Sequence, residues 1–261
     1  MRPVIVVAVT LALAVPTFAD VMIKQTTSGK GMGMAASGTS TTYIKGMKMR
    51  SEAEARGNVV TTIFDVENQK MYILDAKRKS ADVWDMKAFS EELAKNVEAG
   101  EMKASVKPTG QKKEVAGKTA NGYDLEISMP TRIGGETGMS MTVNLKGPMW
   151  IVKGAPGTKD YMAFYKGAGE KGWIFSDPRA AKGSPGQAKA MAEMYRLLAS
   201  TGGIPYETEM TISITGEGPM ASMMARMGGM SMTSVVESVD TTPLDDSLFA
   251  PPAGYKLVPK K

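Results

Sequence analysis

The sequence predicts an α+β protein that is mostly β: one strongly curved antiparallel sheet with a few helices covering its concave face. Two observations carry that expectation. Between Thr41 and Met86, four extended runs follow one another through tight polar turns, the pattern of a meander. Across the whole chain, extended runs outnumber helical stripes about three to one, and hairpin-length turns join most of them.

In chain order, Asp20–Ser28 reads as a first strand with Val21 and Ile23 on one face. Gly29–Gly38 is so rich in Gly, Met and Ala that a mobile loop is expected. The meander follows as Thr42–Ser51, Asn58–Asp65, Lys70–Ala76 and Ser80–Met86. In its first run Tyr43, Met47 and Met49 fall on one face and Lys48 and Arg50 on the other. Gly57-Asn58, Glu67-Asn68-Gln69 and Lys77-Arg78-Lys79 supply its turns. Lys87–Met102 changes period, with Phe89, Leu93 and Val97 at four-residue spacing, and reads as an amphipathic helix.

Extended runs resume at Lys113–Val115, Gly122–Met129, Thr137–Leu145 and Met149–Val152, with Gly147-Pro148 as a turn before Trp150. Thr158–Lys166 reads as a short helix carrying Tyr161, Met162, Phe164 and Tyr165. A better-signalled helix has Ser184 as N-cap, Pro185 at its first position and a stripe of Ala188, Met191, Tyr195 and Leu198. Two last strands, Tyr206–Thr215 and Met232–Val239, precede a Pro-bounded tail anchored by Leu248-Phe249 and Tyr255. Lys256, Lys260 and Lys261 read as a solvated basic tail.

Residues 1–19 read as a secretory signal peptide. Arg2 precedes an apolar run from Val4 to Val15, and Thr17 and Ala19 offer small residues for cleavage before Asp20. The run is too short to span a bilayer comfortably. Residues 20–261 then read as one domain, exported to the periplasm and soluble, since no later stretch approaches about 18 consecutive apolar residues.

The chain contains no Cys and no His. Cys nucleophiles, Ser-His triads, His-based zinc sites and His proton shuttles are thereby excluded. The net charge of +5 is mild and dispersed, which does not make a nucleic-acid footprint. Gly117-Lys118-Thr119 imitates the end of a phosphate loop, but Lys112 stands where its first Gly is required. Gly29-Lys30-Gly31-Met32-Gly33 fails the dinucleotide pattern at Ala36. The common serine-hydrolase signatures are also missing. The expectation is a protein that is not an enzyme and carries no cofactor.

Several stretches resemble a family of secreted bacterial proteins known only as a domain of unknown function, and through it the periplasmic lipoprotein carriers of the LolA/LolB type. The resemblance rests on Met47-Lys48-Met49-Arg50-Ser51-Glu52, Thr62-Ile63-Phe64-Asp65 and Lys70-Met71-Tyr72-Ile73-Leu74-Asp75. It continues through Val115-Ala116-Gly117 with Tyr123, Ala155-Pro156-Gly157 with Tyr161 and Phe164, Gly203-Ile204-Pro205, and Phe249-Ala250-Pro251-Pro252-Ala253-Gly254-Tyr255. It implies a half-barrel with helices as a lid over an apolar cavity that holds acyl chains.

Methionine is the compositional extreme, at 23 residues. Its densest cluster is Met220, Met223, Met224, Met227, Met230 and Met232. Flexible filler, an adaptable apolar flap at a cavity mouth, and a Cu(I) site built of soft thioethers are the three readings. The first-choice expectation is a carrier holding a lipid or other acyl-chain ligand, with Met47, Met49, Phe64, Tyr72, Trp84, Met139, Met141 and Trp150 lining the cavity. An envelope membrane surface, or a membrane-bound donor or acceptor, would be its partner. The alternative is a methionine-rich periplasmic Cu(I)-binding protein.

Overall fold

Six strands in succession open the described chain: β1 (Val21–Gly31), β2 (Met34–Lys45), β3 (Lys48–Ala55), β4 (Asn58–Asp65), β5 (Lys70–Asp75) and β6 (Ser80–Asp85). They belong to a computed structural model that describes residues 20–31, 34–55, 57–96, 102–133, 139–175, 177–183, 185–216 and 229–260. The expected signal peptide lies outside those residues. Each strand pairs antiparallel with the one before it.

Register places Val21, Ile44, Met49, Phe64, Met71 and Trp84 directly opposite one another in a row across all six strands. All six are buried. That row is the apolar inner face, and the residues between them point outward.

Three aspartates end consecutive strands with one device. Asp65, Asp75 and Asp85 each accept a backbone hydrogen bond from the residue three positions on, namely Asn68, Arg78 and Ala88. The first two close hairpins whose fourth residue past the aspartate, Gln69 or Lys79, is left-handed. The third starts helix α1 (Met86–Asn96).

After α1 come β7 (Lys103–Val115), β8 (Lys118–Ile133) and β9 (Met139–Lys153), then helices α2 (Thr158–Glu170), α3 (Pro178–Gly183) and α4 (Pro185–Ala199). Strands β10 (Gly203–Gly216) and β11 (Met230–Asp240), a 3-10 turn at Asp246–Phe249 and β12 (Lys256–Lys260) complete the described chain. All twelve strands join one curved sheet, ordered β12-β6-β5-β4-β3-β2-β1-β11-β10-β9-β8-β7. Its edges, β12 and β7, do not meet, so the barrel stays incomplete. Helices α2 and α4 pack on each other and against β2, β7, β8 and β10. They fill the hollow of the sheet with two joined clusters, one centred on Phe64, Phe164 and Trp173, the other on Leu125, Leu145 and Met194.

Four local expectations need correction. Thr42–Ser51 is not one strand: Gly46, at φ 56°, lets the chain reverse, so Met47 occupies a turn and Tyr43 and Met49 face opposite sides. The described part of Gly29–Gly38 is strand, held between β11 and β3 by ladder bonds that override its weak propensity.

Gly147-Pro148 lies within β9 and makes no turn. A Cβ at Gly147 would fall 1.9 Å from the Glu209 carbonyl oxygen, so glycine permits β10 to approach there. Finally, Lys256 and Lys260 of the basic tail belong to strand β12, parallel to β6, with Lys260 bonded to Asp82 at 3.2 Å; Lys261 lies outside the described residues.

The tail reaches β12 along the outer face. Lys45 Nζ donates to the Leu244 carbonyl, the Leu244 N–H donates to Asp20 Oδ2, and Arg50 donates to the Leu248 carbonyl. Phe249 is buried there by the 3-10 turn, which packs on β3 and β4.

Candidate functional site

Curvature leaves a space that the side chains do not fill. A cavity of about 270 Å³ lies between the inner face of the sheet and the helices. Its roof comes from α2 and α4 and the segment joining them: Tyr161, Tyr165, Phe175, Met191, Met194, Tyr195 and Leu198. Its apolar walls are Ile23, Met49, Phe64, Ile204, Pro205, Met210 and Met232. The remaining floor is polar, with Gln25 and Thr27 from β1, Ser40 and Thr42 from β2, Ser51 from β3, Thr208 from β10 and Ser234 from β11.

Alternation explains why this floor faces the hollow. Thr27 lies opposite Ser234, and Ser234 opposite Thr208, so three hydroxyl residues form a line across β1, β11 and β10. Gln25 lies opposite Ser40, and Thr42 opposite Ser51. Thr27 Oγ1 donates to Ser234 Oγ at 3.3 Å. No Asp, Glu, Lys or Arg is among the described residues that line the space.

The roof is an aromatic cluster. Tyr165 and Tyr195 stack at 5.2 Å with an interplanar angle of 6°, and Phe175 packs on both at 5.3 Å and 4.9 Å. Tyr161 and Tyr165, one helical turn apart on α2, have centroids 4.7 Å apart. Phe64 links sheet to roof through Phe175 at 5.6 Å and Trp173 at 6.5 Å. Tyr165 Oη donates to Met49 Sδ at 3.7 Å.

Burial pushes the phenols of Tyr161, Tyr165 and Tyr195 above their usual value, and neighbouring phenols add to the rise for the first two. All three stay uncharged at any ordinary pH. The site can therefore supply apolar contact and neutral hydrogen-bonding groups. Among the described residues that line it there is no carboxylate to act as a general base and no cation to stabilise an oxyanion.

Of the residues expected to line a cavity, Met49 and Phe64 border this one. Met47 sits in the β2–β3 turn beside Gly167 of α2. Trp84 is buried in the filled part of the core, edge-on to Phe89 at 6.2 Å. Tyr72 lies between Ile63 and Val83 on the outer face. Met141 is buried towards the far end of β9, opposite Thr131 and Gly216.

Met139 begins β9 opposite Ile133, and its side chain lies outside the described residues. Trp150 faces away from the cavity, with Lys113 Nζ 4.5 Å above its ring and bonded to Glu207 at 2.7 Å. In the methionine cluster, Met220, Met223, Met224 and Met227 lie outside the described residues. Met230 is exposed on β11, and Met232 reaches the cavity wall.

Two further spaces lie among the described residues. One of about 240 Å³ lies between α1 and α4, beside Leu93, Trp173 and Arg196. Another, of about 380 Å³, is open at the hairpin end that carries Val59, Lys77 and Arg78. Neither lies within the hollow of the sheet.

No protein-family model matches the chain, and no curated protein matches it. Several solved structures are similar at low score. PNGF-II matches 92% of this chain with a TM-score of 0.30 at 12% identity, and the chain spans 31% of that protein. A putative outer membrane lipoprotein-sorting protein domain from Vibrio parahaemolyticus matches with a TM-score of 0.30 at 9% identity, over 90% of each chain. A DUF1329 family protein from Desulfovibrio piger matches with a TM-score of 0.26 at 9% identity, over 90% of this chain and 91% of that one. At these scores the likeness carries no functional argument. That rests on the cavity.

Proposed function

We propose that this chain is a binding or carrier protein of the bacterial envelope, which takes a lipid-like molecule into the cavity beneath α2 and α4. The observation that carries the reading is a partly open space between the sheet and a methionine- and aromatic-rich roof, with no charged side chain among the described residues that line it. Methionine and aromatic side chains adapt to varied apolar shapes, and each CH₂ withdrawn from water contributes about 0.8 kcal/mol. A single chain therefore binds usefully without a charged contact.

The lining gives no reason to invoke chemical conversion or a cofactor, and the reading is of binding alone. Residues 1–19 would direct the chain to the periplasm. No helix among the described residues is long and apolar enough to cross a membrane. A membrane surface, or a protein in it, would deliver or receive the ligand.

Native mass spectrometry of protein purified from its own periplasm tests the proposal. A co-purifying lipid-like mass that solvent extraction removes, together with a melting point raised by added lipid, is the expected result. Protein that carries no such mass, and whose melting point ignores every lipid and detergent offered, ends it.

A further inference from the structure

The cavity has two chemistries, and they lie on opposite sides. Its roof offers hydrocarbon, sulfur and aromatic faces from Met191, Met194, Tyr195 and Leu198. Its floor offers hydroxyls and one amide. The Thr208–Ser234–Thr27 line crosses three adjacent strands at the sheet's own spacing of about 4.8 Å. Among the described residues, that line has one internal side-chain bond, from Thr27 to Ser234. Ser40, Thr42, Ser51 and Thr208 line the space, and no other described side chain bonds theirs.

A hydrocarbon laid on this floor would strip water from those groups and give nothing back. A purely apolar ligand therefore suits the roof but not the floor. An ionised headgroup suits neither, because among the described residues no opposite charge lines the space to offset its desolvation. Phenols kept neutral by burial cannot supply one.

We propose that the molecule held is an uncharged, two-faced amphiphile, a hydroxyl- or ester-bearing neutral lipid. Its polar groups lie along the Thr208–Ser234–Thr27 row and its hydrocarbon meets the roof. This rests on the cavity-binding reading and specifies its ligand class. The volume of about 270 Å³ equals roughly nine waters at ~30 Å³ each, which suits one short chain with its polar end. A larger or charged headgroup would stay outside.

Displacement of the neutral fluorophore N-phenyl-1-naphthylamine measures this with three probes: 1-monodecanoylglycerol, decane, and decanoate at about pH 8, where the carboxyl is ionised. The glyceride should bind about tenfold more tightly than either of the others, the worth of one or two well-made hydrogen bonds. In the variant T27V/T208V/S234A the glyceride should lose that advantage over decane. The changes at 27 and 234 remove both partners of their mutual bond, so no orphan is left. T208V alone, which should narrow the gap in part, serves if the triple variant does not fold.

Decanoate binding as tightly as the glyceride would overturn the ligand class and leave the carrier reading standing. Decane matching the glyceride in the wild-type protein, or a gap unchanged in the variants, would show that the floor does not touch the ligand. If the folded protein bound neither the fluorophore nor any probe, the cavity-binding reading would fall, and this inference with it.

Discussion

Phe64 joins the sheet to the roof, and F64A is the sharpest test of how that junction is built. Phe64 is 7% exposed, and its neighbours Phe175 and Trp173 lie at centroid distances of 5.6 Å and 6.5 Å. Burial of a side chain this size contributes about 1.5–3 kcal/mol, and each aromatic pair adds about 0.5–1.5 kcal/mol. Truncation of a fully packed Phe costs about 3–5 kcal/mol. Phe64 should fall at the low end, near 3 kcal/mol, because one side of its ring already borders the cavity. Truncation there enlarges an existing space instead of opening a new one.

For a domain of this size that loss lowers the melting point by about 6–12 °C. Urea unfolding followed by circular dichroism gives the free energy, and displacement titration gives the affinity for chains of increasing length. The variant should shift its preference towards longer chains. A loss below about 1 kcal/mol, with no change in chain-length preference, would falsify the placement of Phe64 between sheet and roof.

Other expectations follow from single features. G147A should separate β9 from β10, since its Cβ would meet the Glu209 carbonyl at 1.9 Å. A loss of about 4 kcal/mol or more in chemical denaturation is expected, and a near-neutral effect would mean the strands do not approach so closely. Asp85 is held below the usual carboxylate range by its bond from Lys70 and by the Ala88 N–H. The stability it contributes is present above the ordinary value of about 3.9 and is lost as pH falls below it. D85A should cost about 1 kcal/mol at neutral pH through loss of the α1 cap and flatten that acid limb; an identical acid profile in the variant would refute the assignment.

The roof phenols act at the other end of the scale, because their folded values lie above that of a free tyrosine. Their share of stability is intact below about pH 10 and falls as pH rises further. Tyrosinate absorbance should reveal a group of phenols that ionise only on unfolding; complete ionisation near pH 10 in the folded protein would contradict the packing.

The strand meander was legible because period-two alternation directly encodes which residues share a face. Met49, Phe64, Met71 and Trp84 keep that period within their strands and align in register. Where glycine acts, the same signal misleads. Gly46 reverses the chain inside an apparently continuous run, while Gly147, beside a proline, suggests a turn in an uninterrupted strand. One glycine answers to local conformation and the other to a neighbour more than sixty residues away in sequence, and only the first leaves a local trace.

The cavity was legible only in part, for a related reason. A search for apolar residues finds the filled core, such as Trp84 and Met141, since packed interiors are more apolar than the lining of a space. The lining joins Thr27, Ser40 and Ser234 to aromatic residues from α2 and α4. Taken singly, those serines and threonines look like the outer face of any strand. Tyr161 and Tyr165, spaced one helical turn apart, carry the signal that could have pointed to the roof.

The position of β1 in the sheet has a kinetic consequence. Its neighbour β2 is local, but its other neighbour is β11, with Met22 opposite Asp240. The strands β1–β6 can assemble from hairpins as they emerge, and β7–β9 likewise. The seam between the two arrays must wait for nearly the whole chain, and so must the polar floor that crosses it. Contacts of such separation slow folding. Pulse-labelled hydrogen exchange should find the β1–β11 amides protected last, so that the cavity takes shape only when the two arrays are joined; early protection there would reverse that order.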